Sequence, residues 1–334
     1  MKPKDQRVAV VTGSSTGIGF ETSLLFARNG ILTYAAVRDL AKADLIKDIA
    51  EKEKLPLQVI QMDVDKDDSV VRGFKEMYGD RKGKGRAIDI LVNNAGFGLF
   101  GALEDQSIEH IKKQFETNLF GAIRTIQQVL PIMRKQRSGI IVNVSSISGQ
   151  IGFPAQSVYV STKFALEGLS ESVAFEVEPY GIGVVLIEPG VINSNFVENI
   201  MIPGNTRSIS SYLLSSSSSP STTSSKVAAS FPTIGSDSNT HSDNSKSNSE
   251  ITEYAAVVER FLSHYYPAMR NAPSPKEVAK VVLESINDSI GSIRQGANNN
   301  FHRYPVGDDA KFYADLKRKM SDSELHSFVA KRIL

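Results

Sequence analysis

The 334-residue chain contains no cysteine, which excludes disulfides and thiolate catalysis. Its five histidines are scattered, with no two at a spacing that would grip a metal ion. An excess of charge of one sign is also missing. Lys and Arg number 38 against 37 Asp and Glu, a net +1, which argues against non-specific nucleic-acid binding. The basic run Arg81-Lys82-Gly83-Lys84-Gly85-Arg86 reads as a solvated loop. No apolar run is long enough for a transmembrane helix, and Met1 to Arg7 is polar where a signal peptide would be apolar. These absences lead us to expect a soluble, cytoplasmic protein that works without a metal. The length exceeds one typical domain by little, so the expectation is a single domain over residues 1–334.

Against that background the amino-terminal half is rich in signal. Val8-Ala9-Val10-Val11 is a short apolar run of the kind found in buried parallel strands. It leads straight into Thr12-Gly13-Ser14-Ser15-Thr16-Gly17-Ile18-Gly19, and a helical pattern follows from Phe20 to Asn29, stopped by Gly30. Strand, glycine-rich turn and helix together form a dinucleotide-binding start. Gly13 permits the tight turn, Gly17 lets the backbone approach a pyrophosphate, and Gly19 allows close helix packing. The helix start offers free N–H groups and a partial positive charge to phosphate. The next strand, Ile31 to Val37, ends without the acid that would bind a ribose 2′-OH, and Arg38 comes next. A guanidinium matches a 2′-phosphate. With the hydroxyls of Ser15 and Thr16 nearby, the expected cofactor is NADP(H) rather than NAD(H). Asp39 reads as a helix cap.

Two further strands end in candidate contacts. Leu57 to Met62 runs into Asp63-Val64, where Asp63 would accept from an adenine amino group. Ile88 to Val92 runs into Asn93-Asn94-Ala95-Gly96, where Asn93 and Gly96 would border the ribose and nicotinamide side. Farther along, Tyr159 and Lys163 are four residues apart, so on a helix they share a face. A free phenol ionises near pH ~10, and a neighbouring cation would lower that value enough for acid/base work at neutral pH. Ser146, thirteen residues upstream of Tyr159, offers a hydroxyl to hold the reacting oxygen.

In order and approximate spacing, Thr12-Gly13 to Gly19, Asp63-Val64, Asn93 to Gly96, Asn118, Ser146, Tyr159 with Lys163, and Pro189-Gly190 resemble the short-chain dehydrogenase/reductase family, from about Arg7 to Asn199. That resemblance implies a three-layer Rossmann fold, α/β, with a parallel sheet of about seven strands and helices on both faces. It implies that Tyr159 is the acid/base, that Lys163 lowers its pKa and binds the nicotinamide ribose, and that Ser146 rather than Ser145 orients the substrate oxygen. It also implies that Asn118 supports a relay water, and that Pro189, Gly190, Ile192 and Ser194 lie over the nicotinamide carboxamide. Ile18, Val64, Ala95 and Tyr159 join the expected cofactor contacts. Homodimers or homotetramers through the helices carrying Asn118 and Tyr159 are implied too. Arg38-Asp39-Leu40, Phe164 to Gly168 and Arg303 to Gly307 are similar to a branch acting on steroids and retinoids. The expected activity is therefore alcohol–carbonyl interconversion on a small, lipophilic substrate. Phe97, Phe100, Ile147, Phe153, Val191 and Phe196 are candidates to line its pocket. The rivals are an NADP-binding regulator without chemistry, which has no need of all four catalytic-type residues, and an epimerase or dehydratase using the same tyrosine.

One stretch departs from this pattern. Residues 203–250 are serine-rich, with Ser215 to Ser219 at their centre, and carry too little apolar surface to offset the entropy of ordering. We expect a disordered insertion where the family places its substrate cover. A helix over Ile251 to Tyr266, with Tyr254, Val257, Val258, Phe261 and Leu262 on one side, then another from Ser274-Pro275 to about Asn287 and a charged helical tail, would form a lid and C-terminal extension over 251–334. Surface insertions are well tolerated. Excising residues 203–250 is therefore expected to leave steady-state kinetics unchanged; an altered KM or kcat would make the stretch a substrate flap.

Overall fold

A computed structural model describes residues 6–78, 87–196, 200–202, 253–294 and 301–334. The basic run Arg81 to Arg86 and the serine-rich stretch lie outside the described residues. The strands are β1 (Val8–Thr12), β2 (Leu32–Val37), β3 (Leu57–Gln61), β4 (Ile90–Asn93), β5 (Gly139–Val144), β6 (Ile182–Pro189) and β7 (Phe301–Val306). They form one seven-stranded sheet in the order β3-β2-β1-β4-β5-β6-β7, parallel throughout. The chain runs outward from β1 to β3 and then returns to β4 on the other side of β1. That reversal opens a crevice beyond the carboxyl ends of β1 and β4, the usual place for a ligand in such sheets.

Every residue of β1, β2, β5 and β6 is buried, as expected where helices cover both faces. On one face α1 (Gly17–Arg28) and α8 (Pro275–Arg294) bring Phe26, Val278, Val282 and Ile286 against Val11, Val92, Val142 and Val185. On the other, α3 (Asp67–Tyr78), α5 (Gly121–Gln136) and α6 (Ser157–Val177) bring Phe74, Val129, Met133 and Val173 against Val10, Leu91, Ile141 and Val184. The alternation of side chains along each strand feeds the two layers. The remaining helices are α2 (Asp44–Lys52), α4 (Ile108–Phe115), α7 (Ala255–Arg270), α9 (Asp308–Lys319) and α10 (Asp322–Ile333).

A third apolar cluster stands apart from the two faces. Phe261 and Leu262 of α7, Ala310 and Ala314 of α9, and Leu325 and Val329 of α10 meet Phe100, Ile147 and Tyr159. Ser321 and Glu324 close a reciprocal capping box at the start of α10. The chain after residue 253 differs from the sequence reading in three ways. The first helix of this part starts at Ala255 and buries Phe261 and Leu262, while Tyr254 and Val257 are exposed. The second runs on to Arg294 because its apolar face continues along α1. The tail is not only helical, since Phe301–Val306 adds a strand to the sheet edge before the two charged helices.

Polar groups buried beneath the crevice are paired with one another. Asn93 donates from Nδ2 to Asn143 Oδ1 at 2.9 Å and accepts from Thr125 Oγ1 at 2.5 Å. Asn143 in turn donates from Nδ2 to Ser170 Oγ at 2.8 Å. The chain of bonds joins β4, β5, α5 and α6. Asn143→Ala would leave Asn93 and Ser170 with unmatched buried groups, and is expected to cost about 1–3 kcal/mol. A lowered denaturant midpoint at unchanged slope checks it, and an unshifted midpoint contradicts it.

Candidate active site

The glycine turn is shaped for close approach. Gly13 and Gly17 both have positive φ, 68° and 63°. A Cβ on Gly13 would stand 2.8 Å from Ala95 Cα, and one on Gly19 would press into Gly13 O at 2.5 Å. Gly17 is different: only Ser194 Cβ, at 3.8 Å, would meet a side chain there. Tightness at Gly13 and Gly19 and open space at Gly17 leave a cradle beside the start of α1. Helix α1 begins on Gly17, three residues before the sequence pattern suggested, so its first N–H groups lie inside the turn itself. Thr16 precedes them in extended conformation and makes no side-chain cap. These donors and the helix dipole suit a phosphate. The residues present therefore fit a dinucleotide.

The walls of the crevice follow. Thr12 Oγ1 accepts from the N–H groups of Asn94 and Ala95 at 3.0 and 3.1 Å, which fixes the loop after β4 against β1. Arg38 is exposed at the end of β2, and Asp39 caps the next turn by accepting from Ala41 N. Asp63 spends one oxygen on Asp65 N at 3.1 Å. Val64 is buried against Gly121. Gly96 is exposed, with Asn118 Oδ1 only 3.1 Å from where its Cβ would be. Ser15 is half-buried and Ile18 packs against the α1–α8 core. Two of the expected contact residues have side chains already engaged elsewhere. Both ends of the Asn93 amide are engaged by Asn143 and Thr125, and the residue lines one cavity with Thr12, Ala95, Asn118 and Lys163. The Ile192 side chain is packed in the core, so only main-chain contact with a cofactor remains open to it.

The reacting groups come from three elements. Ser146, just past β5, accepts from Ser148 N at 3.1 Å and donates to Pro189 O at 3.3 Å. Its hydroxyl also favours ionisation of the Tyr159 phenol. Tyr159 and Lys163 lie one turn apart on α6, both buried. The Lys163 ammonium stands 5.7 Å from the Tyr159 ring centre and donates to Val144 O at 2.9 Å, tying α6 to the end of β5. Asn118 sits in a five-residue π-helical segment, Glu116–Phe120, between α4 and α5. The wider turn brings its amide inward, where it donates to Phe97 O at 3.0 Å and to Thr162 Oγ1 at 3.2 Å, and accepts from Phe97 N at 3.0 Å. Such π segments recur at functional sites. Asn118, Lys163, Val144, Thr12 and Ala95 line one water-sized cavity.

The arrangement agrees with independent comparisons. The family whose description is "short chain dehydrogenase" matches residues 7–202. The chain belongs to the short-chain dehydrogenase family. An uncharacterized oxidoreductase of Bacillus subtilis, YusZ, is 42% identical over 188 residues, 56% of this chain and 65% of that protein. Retinol dehydrogenase 8 of Bos taurus is 32% identical over 304 residues, 88% of this chain and 82% of its own. Among solved structures, an alcohol dehydrogenase of the archaeon Thermococcus sibiricus, complexed with 5-hydroxy-NADP, superposes with a TM-score of 0.53 at 28% identity, over 61% of this chain and 83% of that one. The chain thus spans a little under two thirds of the bacterial relative, and more of the bovine one. Among the described residues no helix is long and apolar enough to cross a membrane.

Within this family member, two features were out of reach of the sequence reading. The loop after β6 is held from the far end of the chain: Asp309, at the start of α9, accepts from Val191 N at 2.7 Å and fills the space where a Gly190 side chain would be. Only the small residue at Gly190, beside Pro189, hinted at such a neighbour. The second is the phenol. For the chain by itself the larger influence on the phenol is burial. Burial pushes Tyr159 up to about 12, opposed by the Ser146 hydroxyl. The same burial pulls Lys163 down to about 8, opposed by Glu167. Phe100 and Phe196 rings lie edge-on to Tyr159, each with centroids 5.9 Å away, so an ionic phenolate has little solvation there. Folding therefore favours the neutral phenol, and stability falls as pH rises from the unfolded value near ~10 towards the folded one. In ultraviolet titration, subtracting Tyr159→Phe from the parent protein is expected to show no phenolate below about pH 11; a difference signal by pH 9 would contradict it.

Proposed function

We propose that the protein is an NADP(H)-dependent oxidoreductase that interconverts a lipophilic primary or secondary alcohol and its carbonyl compound. The observation that carries this reading is the pairing of Tyr159 and Lys163 one turn apart on α6, with the Ser146 hydroxyl acting on the phenol and Lys163 lining one cavity with Thr12 and Ala95 of the crevice. The nicotinamide, when bound, supplies hydride chemistry that no side chain offers. The chain's own residues do the rest. In the reducing direction the neutral Tyr159 phenol gives its proton to the carbonyl oxygen, while Ser146 donates a hydrogen bond to the same atom. The Lys163 ammonium then stabilises the phenolate left behind. In the oxidising direction the same groups take the proton from the alcohol. Asn118 and Thr162 keep the Tyr159 turn in place, because Thr162 Oγ1 donates to Tyr159 O at 2.8 Å and accepts from Asn118. Holding both partners in one geometry lowers the barrier further.

Arg38 supports the choice of NADP(H): it is exposed just past β2, where an NAD site would have an acid. The archaeal neighbour's NADP derivative points the same way. A lipophilic substrate is supported by the apolar company of Tyr159. Phe100, Ile147, Phe153 and Phe196 share its cluster, joined by Phe261 and Tyr265 from α7. Phe97 and Val191 are not part of it. The bovine relative's name, a retinol dehydrogenase, agrees with such a substrate. We read all of this as one catalytic domain with 203–250 as an insertion. The exposed Phe164 and Phe175 on α6 fit a homo-oligomer through that helix.

Tyr159→Phe is expected to bind cofactor normally and to lower the rate of NADPH oxidation by apolar aldehydes and ketones about 10²–10⁴-fold. Near-parental turnover would remove the mechanism. A clear preference of the unaltered protein for NADH would remove the role given to Arg38.

A further inference from the structure

Behind Lys163 lies a charged assembly that the proton transfer does not use. Glu188, in β6, is completely buried, and neither of its carboxyl oxygens has a hydrogen bond of good geometry. Glu167 is also buried and sits on α6 one turn beyond Lys163. Arg303, in β7, reaches both: its Nε lies 3.0 Å from Glu167 Oε2 and 3.6 Å from Glu188 Oε1. A second guanidinium nitrogen holds the more exposed Glu171 at 2.9 Å. Ser145 Oγ, from the end of β5, and Gln150 complete the surroundings of the pair. The charged and titratable groups around Glu167 are thus Lys163 and Glu171 on its own helix, Arg303 on β7 and Glu188 on β6.

The charge balance decides which carboxyl is ionised. Two carboxylates in a dry site repel each other, and the single guanidinium between them is already shared with Glu171. One of the two keeps a proton. Burial pushes both carboxyls up, but in Glu167 the short bond to Arg303 opposes the shift, whereas Glu188 has no such bond and is pushed to about 7. Glu188 is therefore the neutral member and Glu167 the anion. Lys163 is buried one turn away on the same helix, its ammonium donates to the Val144 carbonyl, and the Glu167 charge opposes the loss of its proton.

We propose that Glu167 is a positioning residue for Lys163: clamped by Arg303 and relieved of repulsion by a protonated Glu188, it supplies the fixed negative charge that keeps Lys163 an ammonium. Through Arg303 the last strand of the sheet reaches the reacting groups, so the segment that follows the serine-rich stretch has a part in their charge state. The inference rests on the reading above for the use of that ammonium, but the charge itself is a property of the unliganded protein.

Nuclear magnetic resonance of the ligand-free protein with ¹⁵N,¹³C-labelled lysine tests it, with Lys163→Arg identifying the signal. Glu167→Gln is expected to lower the Lys163 titration midpoint by about one pH unit, and Glu167→Asp to restore most of it. Glu188→Gln, which copies the protonated acid, is expected to leave the midpoint where it was. A Glu167→Gln midpoint within about 0.2 units of the parent overturns the proposal. So does a Glu188→Gln midpoint that falls by a full unit, which keeps the idea testable should Glu167→Gln not fold. If the titrations behave as stated while the parent reduces no carbonyl compound, the positioning role stands and the oxidoreductase reading falls.

Discussion

The hydrogen bond from the Lys163 ammonium to the Val144 carbonyl is the contact on which the site depends. It anchors α6 to the carboxyl end of β5 at 2.9 Å. The ammonium is buried, and a lone cation in such a place loses its proton unless something opposes the loss of water. Much of the surrounding sequence answers that problem. The carbonyl gives a dipole, Glu167 gives a charge, and Asn118 through Thr162 holds the same helical turn from the other side. Tyr159 inherits its position from this anchoring and its neutrality from the aromatic rings around it.

The parallel sheet makes the anchoring precise enough to use. Because both faces of β5 and β6 are covered, their register is fixed by packing on two sides. Ser146 and Pro189 then emerge side by side, and the bond between them follows. Beneath them Asn93, Asn143, Thr125 and Ser170 satisfy one another, which avoids the cost of unpaired amides in the core. The same residues lock α5 and α6 to the strands that carry the site.

How much of this the sequence disclosed depended on distance along the chain. The glycine turn, the strands up to β6 and the Tyr159–Lys163 spacing are local patterns, and each was legible with errors of a few residues at the ends. The lapses have a common cause. Arg303 and Asp309 act on groups more than a hundred residues away. Nothing near them in sequence announces those partners. The first strand residue after 300 was hidden for a related reason: β7 is only partly buried and lies at the sheet edge, so its apolar signal is weak. Asn118 was carried by the family resemblance alone, because a helix-interior asparagine has no fixed meaning until the π segment turns it inward.

The sequence by itself determined that a glycine-rich turn follows a buried strand and leads into a helix, and that a phenol and an amine share a helical face. Backbone sterics and helical periodicity act between neighbours and need no fold to be read. Only the tertiary structure decided the charge states. How far burial raises the phenol's pKa and lowers the amine's is set by the rings and charged groups that the fold brings close from β6, β7 and α7, since desolvation and Coulomb forces depend on separation in space and not along the chain.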